Sequence, residues 1–385
     1  MTEKKGQIVE LGAVRGIAAL MVLMGHSLIL YGNPEWFHQP TLLFNGRGAV
    51  VVFFVLSGFV LTHSLAGRDI STPNLVGFYI KRLFRLFPAI WAASALSLVY
   101  LTWVHFRVAS PDASVFFHER FRPERFNLLF IIASLAGMSA FLLPQLWSIF
   151  VELVASALMP FIAFAAYKRT TLFCVWALVA LAASFTLNFV YYNLMLYLFD
   201  FFVGAAIAVI PTGLRSLLAS PRLPTGLIAY LVTAGLITSQ YLPLSYYSPF
   251  AALYEAVLAA TLISLLVYSK LDLPALRSRV AVYLGDISYS VYLLHFTVAC
   301  FMMKGLDALQ NANNLVISTE VKSLIVVSLA IMITIPLAHF CYQYIELPGI
   351  QMGKWFGRQA SVRLNEGILL PPVESQNPKV GADRA

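Results

Sequence analysis

The amino-acid sequence predicts an all-α membrane protein, a polytopic bundle of about ten transmembrane helices with one extra re-entrant or interfacial segment. Three observations lead there. Of 385 residues, 59% are hydrophobic and 11% charged, whereas about a quarter of the residues of a soluble protein are charged. Apolar runs close to the ~20 residues that cross a bilayer recur from one end of the chain to the other. Lysine and arginine concentrate in alternate loops, as expected of a multi-pass chain under the positive-inside rule.

The chain opens on a short polar stretch with Lys4 and Lys5, which places the N-terminus in the cytoplasm. The first span is read at residues 11–32; it has no small-residue cleavage site and is a retained helix, not a signal peptide. A loop at 33–46 carries Pro34, Trp36 and Pro40, and spans follow at 48–66 and 86–106. The basic stretch between those two spans, 67–85, reads as a cytoplasmic loop. Residues 127–143 are apolar but short and precede Pro144; further spans are read at 147–167, 171–191, 194–210, 226–241, 249–269, 285–303 and 323–345. Charge decides the ambiguous segment. If 127–143 does not cross, roughly 18 Lys and Arg residues lie on the side of Lys4 and roughly 7 opposite, and crossing inverts the balance to about 8 and 17. Residues 1–358 then form one membrane domain, and the polar stretch 359–385, with Pro371, Pro372 and Pro378, reads as a disordered cytoplasmic tail.

The first span carries two residues that an apolar helix does not accept freely, Arg15 and His26. A basic residue at mid-span costs ~2.5–3.5 kcal/mol on the insertion scale, so each needs a polar lining or a function. Eleven residues apart, they return to within ~20° of one direction and stand ~16 Å apart along the axis, on one face. Gly12, Gly16, Gly25, Ala18 and Ala19 let neighbouring helices approach around that stripe. His26 has the side chain best suited to general-base work near neutral pH, such as deprotonating a hydroxyl for attack on an acyl group. The alternative is a packing histidine bonded to a carbonyl. Arg82 and Arg85 in RLFR lie one turn apart and suit the phosphates of a nucleotide or coenzyme A, or else serve as positive-inside flanking charges. Glu152, five residues after Trp147, is an acid inside an apolar helix; it must pair or protonate, with Arg15 or His26 as partners of the right kind. Ser288, Tyr292 and His295 share one helix face at i, i+4 and i+7, which indicates a water-filled cavity with His295 as a lining residue. Ser57, Trp147 and Ser148 are further lining candidates, Ser57 being equally suited to close helix packing.

Six segments in register, RGIAALMVLMGH, GAVVVFFVLSGF, RLFR, LWSIFVE, ISYSVYLLH and CYQYIELP, closely resemble the bacterial acyltransferase-3 family of integral-membrane O-acyltransferases that modify cell-surface and secreted glycans. The resemblance implies a ten-helix catalytic bundle in the bacterial inner membrane, and the charge balance of the loops places both termini in the cytoplasm. It implies acetyl-coenzyme A, or another acyl-coenzyme A, as a donor substrate and no permanently bound cofactor, with a sugar hydroxyl as acceptor. Residue by residue, Arg15 and His26 match the family's first-helix pair, Arg82 and Arg85 its arginine motif, and Glu152 the acid of its tryptophan-serine segment. Some members carry a fused periplasmic esterase-like domain; without one, the bundle transfers the acyl group directly or hands it to a separate periplasmic transferase.

Two other classes remain open at this stage. A proton-coupled exporter also buries Arg, His and Glu in its spans, although no pair of broken helices marks two corresponding halves. A lipid-sensing or scaffold protein tolerates Arg82 and Arg85 as membrane anchors. The net charge of +8 is not interleaved with aromatics into a basic face, which discounts nucleic acid. Cys174, Cys300 and Cys341 form no metal or redox spacing and read as buried inert thiols.

Overall fold

The computed structural model describes residues 9–31, 44–121, 127–187, 193–245, 247–269 and 271–365. The chain is an all-α membrane protein; among the described residues the only β-type pairing is an isolated bridge between Tyr31 and Ala113. Among the described residues seven helices are long and apolar enough to cross a membrane, and an eighth if a helix pair bent by 88° counts as one span.

Helix α1, Val9–Leu28, takes the first span, and α2, Gly46–Ser64, the second. The loop expected between them lies mostly outside the described residues. α3, Thr72–Tyr100, has proline in its first turn, where the missing N–H costs nothing, and continues through a π-helical turn at Leu101–His105. This corrects the reading of 67–85 as a loop: Arg82 and Arg85 stand in mid-helix. Their stretch looked like loop because it is polar, but a later helix covers it.

Two short helices follow, α4, Val115–Arg120, and α5, Leu128–Leu135, of eight residues. At 1.5 Å per residue α5 reaches ~12 Å, too little for the ~30 Å hydrocarbon layer, so this segment is re-entrant or interfacial. α6, Leu146–Lys168, crosses. α7, Thr170–Thr186, and α10, Thr225–Thr238, are shorter apolar helices, and α8, Leu194–Ala208, bends into α9, Thr212–Leu218. The expectation of ten spans counts all three as crossings, whereas length and apolarity among the described residues support seven or eight. α11, Pro249–Tyr268, and α12, Arg279–Asn313, cross. α13, Thr319–Cys341, runs on through a π-helical turn at Tyr342–Glu346 into α14, Leu347–Asn365. Residues 359–365, read as the start of a disordered tail, therefore continue a helix; the rest of that tail lies outside the described residues.

Glycines set the two contacts that shape the centre. A β-carbon on Gly16 would meet the backbone of Leu284, and one on Gly285 the backbone of Gly12, so α1 and α12 touch backbone to backbone. Gly58 and Gly204 do the same for α2 and α8. Small residues drive such approach in lipid, where apolar burial between helices gains little. α14 lies along the first half of α3, with Gly77 against Gly357 and Ser361, and Gly353 against Phe84. Of the three cysteines, Cys300 and Cys341 are buried and Cys174 is exposed on the outer surface of α7, which corrects the reading of all three as buried.

Candidate active site

α1, α2, α3, α6 and α12 enclose a cavity of about 300 Å³. Its polar lining is Arg15 from α1, Ser57 from α2, Arg82 and Arg85 from α3, Ser148 and Glu152 from α6, and Ser288, Tyr289 and Tyr292 from α12. Helical period explains why so few segments suffice. Ser148, Glu152 and Ser156 recur every four residues on α6, and Arg82 and Arg85 every three on α3, so each set faces one way. Apolar walls come from α2, with Val50, Phe53, Phe54, Leu56, Val60 and Leu61.

Glu152 is not beside His26. Its carboxylate accepts from the Arg82 guanidinium in a short ion pair and from Ser57 Oγ at 3.3 Å. Arg82 also donates through Nε to Ser156 Oγ at 2.8 Å. The expected pairing of Glu152 with Arg15 or His26 is thereby corrected: α3, extended into the bundle, brings a cation closer than α1 does. Arg15 donates to Ser288 Oγ at 3.2 Å, and that hydroxyl in turn donates a hydrogen bond to Gly285 O at 2.9 Å. Arg85 makes no hydrogen bond or ion pair among the described residues, while Arg82, Arg85, Glu152 and Glu346 all act electrostatically on Arg15. Glu346, in the π-helical turn after α13, is 1% exposed and accepts from Ser290 Oγ at 2.8 Å. Three guanidinium groups thus converge against two carboxylates, with open donors left on Arg15 and Arg85. In a site of low dielectric such an excess of like charge attracts an anion.

Arg15 and His26 do share a face, and both turn it to α12. The single channel expected along that face is nevertheless divided, because Arg15 lines the cavity and His26 does not. His26 Nδ1 instead meets His295 Nε2 at 2.8 Å. His295 is fully buried, with Nδ1 at 3.2 Å from Val291 O. Tyr292 stands between the cavity and this pair. Its hydroxyl lies 2.6 Å from Ser148 Oγ, on the cavity wall, and its ring centroid 5.9 Å from that of His295. Ser148 donates to Gln145 O at 2.9 Å, so Tyr292 is the donor in the bond they share. Beyond the pair, Phe121 of the α4 segment stacks on Phe296, the residue that edges against His26.

Trp147 does not line the cavity; it packs on Phe54 and Tyr197 with centroids 6.3 and 5.3 Å away, supporting the wall from behind. Sequence reasoning missed Glu346 and Tyr289. Glu346 had a signal in CYQYIELP, an acid at the end of an apolar run. Tyr289, whose hydroxyl donates to Leu86 O at 3.0 Å, had none.

Residues 8–342 match the acyltransferase-3 family, described as an acyltransferase domain. An O-acetyl transferase of Shigella phage Sf6 is 36% identical over 93 residues, 23% of this chain and 26% of the phage protein, so the match spans about a quarter of that relative's length. Protein 2 in the picA locus of Rhizobium radiobacter is 31% identical over 158 residues, 38% of this chain and 78% of that protein. No solved structure matches the chain. With a match that runs through nearly the whole helical bundle, the chain belongs to the acyltransferase-3 family.

Proposed function

We propose that this protein is a membrane O-acyltransferase of the bacterial inner membrane, with both termini cytoplasmic, which moves an acetyl or other acyl group from acyl-coenzyme A to a hydroxyl of a cell-surface or secreted glycan. The observation that carries the reading is the cavity itself: open guanidinium donors of Arg15 and Arg85 at one end, and at the other Tyr292, in contact with a histidine pair. An anionic donor satisfies the first end, and a base for the acceptor stands at the second. The shared fragment with a protein named O-acetyl transferase supports O-acyl chemistry.

On this reading the donor's phosphates meet Arg85 and Arg15, with Arg82 held by Glu152 as the wall behind them. This shifts the phosphate clamp from the Arg82 and Arg85 pair, because Arg82 Nε and Nη2 are already engaged by Ser156 and Glu152. The extended pantetheine arm runs from Arg15 along the cavity to Tyr292, and Tyr292 turns aside for the thioester to reach His26, ~16 Å from Arg15 along α1. His26 takes the proton of the acceptor hydroxyl as the oxygen attacks the thioester carbonyl. The carbon–sulfur bond breaks, and the departing thiolate receives that proton. Holding both reactants in line supplies much of the rate. Charge asymmetry of the loops supports the orientation.

The test is the O-acyl content of envelope and secreted glycans, by mass, in cells with no copy, the intact chain, His26→Ala, or Arg85→Ala. An ester mass that appears with the intact chain and is lost in both variants, at equal membrane levels, supports the proposal and names the acceptor. Ester that persists in the variants refutes the site, and flux of a solute with no acyl product returns the exporter reading.

A further inference from the structure

Resting on the reading of His26 as the base, we infer that His295 is its positioning residue: it holds the His26 proton on Nδ1 and leaves Nε2 as the basic atom. The inference follows from which atoms can donate. Val291 O only accepts, so the 3.2 Å contact places a proton on His295 Nδ1. A neutral imidazole carries one N–H, so His295 Nε2 presents its lone pair. The 2.8 Å contact to His26 Nδ1 then requires the proton on His26 Nδ1. His26 Nε2 is left with the free lone pair.

Ring geometry agrees. The centroids are 5.1 Å apart with an interplanar angle of 7°, and that separation equals the nitrogen–nitrogen distance plus the two ring radii. The imidazoles therefore lie end to end in nearly one plane, lone pair against N–H, instead of face on face. Each ring is anchored on a different helix. His295 is fixed by the carbonyl one turn back on α12, and His26 by α1, whose backbone is locked to α12 at Gly16 and Gly285.

The chemical consequence is an orienting group that adds no charge. As His26 Nε2 takes the acceptor's proton, the imidazolium formed keeps its Nδ1–H on the lone pair of a neutral His295, which stabilises the new charge through a charge-assisted hydrogen bond. A carboxylate does this elsewhere by orienting the histidine and opposing its charge. Here Glu152 is spent on Arg82, and a neutral imidazole takes the orienting part.

The experiment uses the full chain in lipid vesicles with ring-15N histidine. Solid-state NMR reads the tautomer, and the His26 signals are identified by their loss in His26→Gln. The intact protein is expected to show His26 with protonated Nδ1 and bare Nε2. His295→Leu should release it to the Nε2–H form and lower kcat roughly 10- to 100-fold, a share of the ~10²–10⁴ that a general base contributes, with KM for acetyl-coenzyme A changed less than about twofold. His295→Gln, which sets an amide oxygen near the place of Nε2, should recover the tautomer and most of kcat. A proton on His26 Nε2 in the intact protein, an unchanged tautomer in His295→Leu, or a glutamine variant no better than leucine overturns the inference. These outcomes separate it from the reading it rests on. The tautomer pattern without any acyl product refutes the transferase alone, and acyl transfer that needs His26 but ignores His295 refutes the positioning role alone.

Discussion

Removing Arg82 should harm the fold more than it harms donor binding, and removing its partner with it should repair the fold. The pair with Glu152 is part-buried, its side chains 11% and 20% exposed. Arg82→Met leaves Glu152 with Ser57 Oγ at 3.3 Å as its one remaining hydrogen-bond partner among the described residues. Breaking a fully buried pair costs ~3–5 kcal/mol, and losing an exposed one ~0–1 kcal/mol. At this exposure each single variant, Arg82→Met or Glu152→Leu, should lose about 1–3 kcal/mol. The double variant should lose less than the two singles summed, with a coupling of ~1–2 kcal/mol. Denaturant unfolding of the four proteins in one detergent measures the cycle. Coenzyme A titration of the same samples should show the double variant binding within about threefold of the intact chain, since the open donors on Arg15 and Arg85 remain. Penalties that add within ~0.5 kcal/mol would show that the pair does not act as a unit. A double variant that folds well but no longer binds coenzyme A would return Arg82 to the phosphate site.

Arg85→Gln should fold normally and weaken coenzyme A binding about 10- to 100-fold, the worth of ~1.5–3 kcal/mol for a hydrogen bond to a charged group; calorimetric titration reads it. Tyr292→Phe removes the 2.6 Å bond to Ser148 and should cost ~0.5–1.5 kcal/mol in unfolding, with Ser148→Ala adding little on top of it. Gly204→Val drives a side chain into the backbone of α2 at Val55 and Phe59, and should cost at least ~1–3 kcal/mol, seen as loss of monodisperse protein after extraction. Gly213→Ala, at a glycine whose added β-carbon meets nothing, should be silent by the same measure.

Much of the molecule was legible in the order of its residues. Hydropathy marked the long spans, and the charge balance of the loops argued against a crossing at 127–143. The 3.6-residue period put Arg15 and His26 on one face, and α12 receives both. It also placed Ser288 with Tyr292 and His295 on a common face, because direction within a helix is a property of spacing alone. The polar composition of 67–85 misled, since a helix covered by a second helix tolerates charges that an isolated one would expose, and α14 lies too far along the chain for a local pattern to include it.

What only the tertiary structure decided is which face meets which. Glu152 went to Arg82 instead of His26, Trp147 turned behind the cavity wall, Glu346 came in from the far end of the chain, and His26 found His295 at a separation of 269 residues. Each of these follows from helices locked in depth and rotation where glycine lets backbones touch, at Gly16 with Gly285 and at Gly58 with Gly204. Periodicity fixes where a side chain points on its own helix, but the partner it reaches depends on the sliding and turning of one helix against another, and in a bilayer close packing between small residues, with no hydrophobic drive to assist it, sets that register.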